Sequence, residues 1–412
     1  MTSAEGRSTD APVGPGRWLV LGGVWLIYFC FGVTAASMAP LVEPVGNELD
    51  IGNARMGLIL GAWPLAYIAA AIPCGILLDR FGVRRMLFAA AVIMAISGLA
   101  RSFADTPTQM FLAVALFGFG GPLISIGAPK VIARLFQGAD RGMAMGIYIT
   151  GPYSGGILAL ALTNSVAMPL AGEDWRVVML LYSALVAASG AIWIAIAYAP
   201  VTAWPARDDQ DGKKFNLSAF GEIVRVPEVR LILGMSVGIF YINHALNNWL
   251  PEILKNHGFT AVEAGFWAAI PSALGIVGAL VVPRLATPER RLTIMTSLFA
   301  ASLMASLCLH FTNLSLILPG LIAQGVARGA MMTIAILILM ETPSVPSERL
   351  GLAGGLFFTA AEIGGVLGPV SFGVLSALSG GFALPLVSVT VVCLILFAII
   401  ARLKRAYASV DA

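Results

Sequence analysis

The chain has 412 residues, of which 58% are hydrophobic and only 11% are charged, and its formal net charge is +3. Soluble domains carry about 25% charged residues, so this composition excludes a water-soluble globular protein. The four cysteines lie within apolar runs and show no metal-ligand spacing. We therefore predict an all-α protein embedded in the lipid bilayer, and we expect no metal, no cofactor and no nucleic acid as a partner.

Twelve apolar runs are long enough to cross a membrane, which takes about 20 residues per helix. Charges, prolines and polar clusters separate these runs. We read the first run as a retained helix rather than a cleaved signal, because many others follow it. The predicted spans are residues 17–38, 55–78, 85–104, 109–131, 142–164, 176–199, 230–250, 262–283, 291–311, 315–340, 350–374 and 381–402.

The spans fall into two groups of six that resemble repeats. The longest polar stretch, residues 201–228, separates the groups. Asp140 and Glu348 each precede an arginine at the start of a span and lie 208 positions apart, and Gly57 and Gly265 share that offset. Parallel repeats of this kind are a known transporter architecture. The predicted organisation is a tail (1–16), a six-helix bundle (17–200), a cytoplasmic linker (201–228), a second six-helix bundle (229–402) and a tail (403–412).

The basic residues predict the orientation of the chain. With these spans, 20 of the 25 lysines and arginines lie on one side of the membrane, 4 lie on the other, and Arg328 lies within a span. Cytoplasmic loops carry the excess of Lys and Arg in membrane proteins. We therefore expect a multi-pass protein of the cytoplasmic (inner) membrane with both termini in the cytoplasm.

The turn between the second and third spans reads Gly-Ile-Leu-Leu-Asp-Arg-Phe-Gly-Val-Arg-Arg from Gly75 to Arg85. Gly75 would let two helices approach closely, and Gly82 would permit a turn with positive φ. Anionic headgroups at the cytoplasmic face would hold the arginines, Arg84 among them. Asp79 lies at the membrane edge among these arginines, and we expect it to pair with one of them.

The fifth span carries Gly-Pro-Tyr-Ser-Gly-Gly, in which the motif positions are Gly151, Pro152, Gly155 and Gly156. This segment and the preceding loop resemble two motifs of the major facilitator superfamily, and the second of them is often noted in exporters and antiporters. The resemblance implies twelve helices in two pseudo-symmetric bundles around a central cavity. It also implies that Asp79 latches the halves in one state, whereas the residues alone leave open a simple topology anchor.

The seventh span carries a polar stripe of Asn243, His244, Asn247 and Asn248, whose spacings of four predict one helix face. Such a stripe either faces a wet cavity or bonds to a neighbouring helix. We predict the cavity, and we add Tyr28 of the first span, which could equally be a helix-packing hydroxyl.

A further resemblance, to cyanate-permease-like carriers of small organic anions, rests on the sequence around that stripe. The matching segments are Asn-His-Ala-Leu-Asn-Asn-Trp-Leu-Pro from Asn243 and Gly-Ala-Pro-Lys at the end of the fourth span. The resemblance implies a small anionic solute as the substrate.

Arg328 is an ionisable residue that lies deep within the tenth predicted span. It lies thirteen residues before Glu341, about 20 Å from the cytoplasmic end, and Gln324 shares its helix face. An ionisable group at this depth is costly and indicates function. The superfamily resemblance places the first, fourth, seventh and tenth helices around the cavity. A guanidinium there would suit a carboxylate or another small anion.

Glu362 of the eleventh span lies at nearly the same predicted depth as Arg328, about 18 Å from Leu350. Three alternatives follow. Arg328 contacts substrate, or the two residues only neutralise each other, or protonation of Glu362 frees Arg328 to bind an anion and so couples protons to transport.

The leading prediction is a monomeric secondary transporter that moves a small, anionic organic solute by alternating access, with proton coupling or exchange. The chain has no His-Glu-x-x-His, no Gly-x-Ser-x-Gly and no P-loop, so we expect neither an enzyme nor an ATP-driven pump. One alternative is a proton-driven exporter of lipophilic or drug-like compounds. The cavity of such an exporter would be expected to contain many aromatic side chains and an acidic residue. Another is a non-transporting membrane sensor.

Overall fold

The computed structural model describes residues 16–202, 217–342, 344–346 and 350–408. Within those residues there are twelve helices long and apolar enough to cross a membrane and no strand, which confirms the predicted all-α fold and the number of spans. The spanning helices are Gly16–Ala36 (α1), Asn53–Phe81 (α2), Val83–Ser102 (α3), Pro107–Leu135 (α4), Gly138–Leu162 (α5), Trp175–Ala197 (α6), Pro227–Asn256 (α7), Ala261–Leu285 (α8), Arg291–Cys308 (α9), Leu314–Met340 (α10), Leu350–Ser379 (α11) and Ala383–Ala408 (α12).

The ends of these helices lie within a few residues of the predicted spans, and several helices extend past the apolar run. Capping explains two of the starts. The hydroxyl of Thr106 accepts from the amide of Gln109 before α4, and that of Thr260 accepts from the amide of Glu263 before α8. In both cases the second side chain bonds back to the cap residue, which satisfies two backbone donors that a helix start leaves open.

The predicted linker contains a nine-residue helix, Leu217–Arg225, and α7 begins at Pro227. Residues 203–216 of that linker lie outside the described part of the chain, as do residues 1–15 of the first tail, Glu348 of the repeat and residues 409–412. The division at 201–228 therefore stays a prediction.

Each half is held together by close helix crossings at small residues. In the first half, a Cβ on Gly155 of α5 would collide with the carbonyl oxygen of Phe29 of α1. In the second half, a Cβ on Gly364 of α11 would collide with the carbonyl oxygen of Val237 of α7. Phe29 and Val237 are 208 positions apart and Gly155 and Gly364 are 209 apart, so the two crossings follow the offset of the repeat to within one residue. Small residues let helix backbones approach in this way.

The two halves meet at one end of the molecule through a second symmetric pair of contacts. A Cβ on Gly57 of α2 would collide with the carbonyl oxygen of Pro369 of α11, and one on Gly265 of α8 with that of Leu160 of α5. The amide of Asn53 donates to the hydroxyl of Ser376 at 2.8 Å beside the first of these contacts. The halves are therefore packed backbone to backbone at this end, which we call the closed end.

The other end carries the α2–α3 and α8–α9 turns with their arginines, and we call it the basic end. Here the space between the halves is open. The cavity lining reaches Gly142, near the start of α5, and Arg284, one residue before the end of α8. The fold thus encloses a central cavity that is closed at one end and reaches the helix ends at the other.

Candidate functional site

The central cavity has two compartments. The deep compartment, toward the closed end, has a volume of about 190 Å³. The wide compartment, toward the basic end, has a volume of about 600 Å³. Seven residues line both and form the passage between them: Tyr28, Phe31, Trp63, Ile149, Phe240, His244 and Met332.

Arg328 of α10 lies in the deep compartment and is held from two sides. Its Nη1 donates to the hydroxyl of Ser272 of α8 at 3.0 Å. Its guanidinium carbon lies 5.7 Å from the centre of the Tyr153 ring of α5, a cation–π distance. Since α5 belongs to the first half and α8 and α10 to the second, both halves position this charge.

Three carboxamide side chains lie around Arg328 and do not form hydrogen bonds with one another. Asn243 and Asn247 of α7 and Gln324 of α10 line the same small recess as the guanidinium. The side-chain oxygens of all three, and the nitrogen of Gln324, are buried with no hydrogen-bond partner among the described residues. Buried amide atoms are normally hydrogen-bonded, and leaving one unpaired costs about 1–3 kcal/mol. The recess has a volume of only about 10 Å³, and its unpartnered amide atoms lie beside the guanidinium at the edge of the deep compartment.

Asn248 does not join this group. It is buried, and its amide donates to the carbonyl oxygen of His244, one turn earlier in α7. The four residues of the predicted stripe span about 140° around the helix axis, at about 100° per residue. An arc of that width is too wide for all four side chains to point into one cavity. Asn243, His244 and Asn247 line the cavity, and Asn248 packs beside it.

His244 lies between two aromatic rings at the passage between the compartments. The centre of its ring is 5.1 Å from that of Trp63 of α2 and 5.5 Å from that of Phe240 of α7, with the latter pair stacked at 20°. Trp63 belongs to the first half and His244 to the second. The ring of His244 therefore bridges the halves at the centre of the cavity, where Tyr28 also lines both compartments.

Glu362 of α11 lies in the wide compartment rather than beside Arg328. Its side chain is buried, and Oε2 has no hydrogen-bond partner in the described part of the chain. A Cβ on Gly365 would lie 2.6 Å from Oε2 and 3.2 Å from the ring of His244, so these two groups are close neighbours. The described residues contain no ion pair between Glu362 and Arg328. Simple mutual neutralisation is therefore not the arrangement in this conformation.

The motif turn lies at the basic end of α2. Asp79 accepts a hydrogen bond from Lys130 of α4 at 2.5 Å. Gly82 has φ +82°, as the turn requires. A Cβ on Gly75 would meet nothing within 4 Å, so the close approach expected there is absent, because α2 contacts α11 near the closed end instead.

The arginines of the turn lie outside the cavity. The guanidinium of Arg84 packs 5.6 Å from the ring of Tyr198 at the end of α6, and Arg85 is exposed. In α5, the motif residues form the crossing with α1: the carbonyl group of Pro152 lies against Gly32. Gly151 and Gly155 face the α1 backbone, and Gly156 lines the deep compartment.

Two residues that shape this site were not predicted from the sequence. Ser272 follows Pro271 within the apolar run of α8, and its hydroxyl holds Arg328. Trp63 precedes Pro64 in α2, and its ring contacts His244. The one available signal is a polar or aromatic residue beside a proline inside a span, where the helix is irregular.

Twelve spanning helices in two symmetric halves, with a central cavity closed at one end, define a membrane transporter. The chain matches the family model described as Major Facilitator Superfamily over residues 24–369. The chain belongs to the major facilitator superfamily. It is thus a multi-pass protein of the inner membrane and a transporter of small organic solutes that works by alternating access.

Relatives and solved structures agree with this membership. The probable galactarate/D-glucarate transporter of Escherichia coli K12 is 22% identical, over 90% of this chain and 91% of its own length. The 2-nitroimidazole transporter of the same organism is 23% identical, over 93% and 94%. A bacterial homologue of the human lysosomal transporter Spinster, in an inward-facing and unoccupied conformation, shares the fold with a TM-score of 0.77 at 18% identity, over 96% and 98%. All three are transporters, in agreement with the prediction of a transporter rather than an enzyme.

Proposed function

We propose that this transporter carries a small organic anion and that Arg328 binds its carboxylate in the deep compartment. The observation that supports the proposal is the guanidinium of Arg328 in the deep compartment, next to a narrow recess lined by carboxamides with unpartnered atoms. A guanidinium can bind a carboxylate through two parallel hydrogen bonds, roughly twice as strong as neutral ones. Ser272 and Tyr153 leave part of the guanidinium available, since within the described part of the chain only Nη1 is hydrogen-bonded.

The carboxamides of Asn243, Asn247 and Gln324 favour an anion that also carries hydroxyl groups. Each carboxamide needs both donors and acceptors, and a hydroxyl supplies either. Galactarate and glucarate, named for one relative, are hydroxylated dicarboxylates and match this chemistry. Tyr28 and His244 complete the wall on the side of the wide compartment.

We propose that Glu362 is the group through which protons couple to transport. Its unpartnered oxygen in the wide compartment can gain and lose a proton without breaking a hydrogen bond. Protonation would remove a negative charge from the path of an incoming anion. The carboxylate would then hinder the anion's entry and the neutral acid would permit it.

We propose further that the basic end is cytoplasmic, with both termini there, because basic loops are retained on that side. The cavity in this structure would then face the cytoplasm. In this arrangement Asp79 and Lys130 latch the turn of the first half. One chain supplies both halves of the site, so a monomer suffices.

A thermal-shift screen of the purified protein tests the anion assignment. The compounds are galactarate, glucarate, adipate as the dicarboxylate without hydroxyls, 2-nitroimidazole and a quinolone, each with wild-type protein, Arg328→Ala and Arg290→Ala. Arg290 is an exposed arginine at the start of α9 and serves as the matched control. We expect the hydroxylated dicarboxylates to raise the Tm of wild type and Arg290→Ala but not of Arg328→Ala. Stabilisation by anions that persists in Arg328→Ala would overturn the assignment.

A further inference from the structure

Aromatic rings form much of the wall of both compartments, and the wide one differs chemically from the deep one because its lining includes Glu362 whereas the deep one has Arg328. Tyr28 and Tyr148 stack face to face, with ring centres 5.6 Å apart and planes within 8° of parallel. Trp63, Phe240 and Phe358 add further ring surface around the same space. These side chains come from both halves of the molecule. The wide compartment has more than three times the volume of the deep compartment, which holds Arg328.

One acidic side chain lies in this aromatic space. Glu362 is the only acidic residue among the described residues that line the two compartments, and it is only 4% exposed. Its Oε2 has no hydrogen-bond partner in the described residues. A buried carboxylate without a partner is costly, and a cation in the compartment would supply one.

We propose that the wide compartment is a second ligand site, separate from the Arg328 recess, that binds an aromatic or lipophilic monocation against Glu362. The aromatic faces of Tyr28, Tyr148 and Trp63 would contact the cation, and each such contact contributes about 0.5–2 kcal/mol. Glu362 selects the sign of the charge. The inference does not depend on what Arg328 binds, because the two charged residues line different compartments.

The groups that face Glu362 determine how this site responds to pH. Tyr28 from α1 and Tyr67 from α2 line the compartment beside it, and His244 from α7 is its close neighbour. Arg284 of α8 lies at the mouth, and the arginine of the deep compartment lies beyond the passage. Protonation of Glu362 removes the attraction for a cation, and protonation of His244 adds repulsion. Both effects act in the same direction, so cation binding weakens as the pH falls.

Binding of a matched pair of aromatic probes tests the proposal. Tetraphenylphosphonium is an aromatic monocation, and triphenylphosphine oxide is an uncharged probe of similar shape. Isothermal titration calorimetry would measure both with wild type, Glu362→Gln, Arg328→Ala and Glu173→Gln. Glu173 is an exposed glutamate in the α5–α6 turn and controls for the loss of a carboxylate elsewhere.

We expect Glu362→Gln to weaken tetraphenylphosphonium binding at least tenfold while binding of triphenylphosphine oxide is unchanged. That unchanged binding also shows that the variant is folded. Arg328→Ala and Glu173→Gln should bind the cation as wild type does. Equal cation affinity in Glu362→Gln and wild type would overturn the proposal. So would loss of cation binding in Arg328→Ala, since the two compartments would then not be separate sites.

A second variant addresses the aromatic wall. Tyr148→Leu keeps the carboxylate and removes one face of the stacked tyrosine pair. We expect it to weaken both probes several-fold, and unchanged binding of both would place the ligand elsewhere. Failure of the anion screen on Arg328 leaves these outcomes unaffected, so each proposal fails by its own measurement.

Discussion

Arg328 and Glu362 lie at the same depth in neighbouring helices, each about 18 Å from the basic end of its helix, yet their side chains line different compartments. The helices differ in their partners. The Arg328 guanidinium turns toward Ser272 of α8, whereas the Glu362 side chain lies beside His244 of α7. Because the two side chains point in different directions from their helices, they do not pair with each other. Both ionisable groups therefore remain available to ligands.

Removing the hydroxyl that holds Arg328 should weaken anion binding moderately. Ser272→Ala deletes the acceptor 3.0 Å from Nη1, so the guanidinium loses its position but keeps its charge. We expect the Kd of the anion to rise about three- to tenfold, in line with the ~1 kcal/mol of one hydrogen bond. Titration calorimetry measures it. Ser302→Ala, a buried serine whose hydroxyl contacts Met331 in α10, is the control and should leave the Kd unchanged.

Neutralising Glu362 should uncouple transport from pH. Glu362→Gln keeps the shape of the side chain but cannot exchange a proton. We expect uptake of the anion into proteoliposomes to lose its dependence on pH, while Glu173→Gln keeps it. Full pH dependence in Glu362→Gln would show that protons act through another group.

Breaking the pair at the basic end should affect transport more than stability. Asp79→Asn removes an ion pair whose side chains are 40% and 33% exposed, and exposed pairs contribute less than about 1 kcal/mol. We expect anion affinity and Tm to change little and the transport rate to fall severalfold. Asp105→Asn, in an exposed pair with Arg176, should transport normally. A normal rate in Asp79→Asn would leave the loop as a topology anchor.

Locking the closed end should trap the protein with its cavity open at the basic end. Asn53 and Ser376 join the two halves through a 2.8 Å hydrogen bond, so Asn53→Cys combined with Ser376→Cys places two thiols together. We expect the oxidised protein to bind the anion but not to transport it, with recovery after reduction. Transport by the cross-linked protein would show that this contact need not open during the cycle.

The composition and the two motifs were enough to predict the fold, because spanning helices and tight basic turns follow from local sequence. Residues four apart share a helix face, so spacing alone predicted that Asn243 and Asn247 lie together, as do Gln324 and Arg328. In the structure all four line one recess. The direction of each side chain around the helix axis was harder to predict. Asn248 lies at the edge of an arc that a spacing rule treats as one face.

Some residues of the site could not be predicted because they reach it only through packing between helices. Ser272 and Trp63 contact the site through neighbouring helices, and no local pattern distinguishes them from other residues of an apolar run. Arg328 and Glu362 lie the same number of residues from the basic ends of α10 and α11, but this position does not fix the direction in which a side chain points. Asp79 likewise contacts Lys130, which comes from a helix that is not adjacent in sequence.

The affinity of Arg328 variants for the best-stabilising dicarboxylate tests the central claim most directly. Titration calorimetry would compare wild type, Arg328→Lys, Arg328→Ala and the control Arg290→Ala. We expect Arg328→Ala to weaken binding about ten- to a hundredfold, from the ~1.5–3 kcal/mol of hydrogen bonds to a charged group. Arg328→Lys should fall between, because lysine keeps the charge but loses the planar fork, and Arg290→Ala should match wild type. Wild-type affinity in Arg328→Ala would contradict the account.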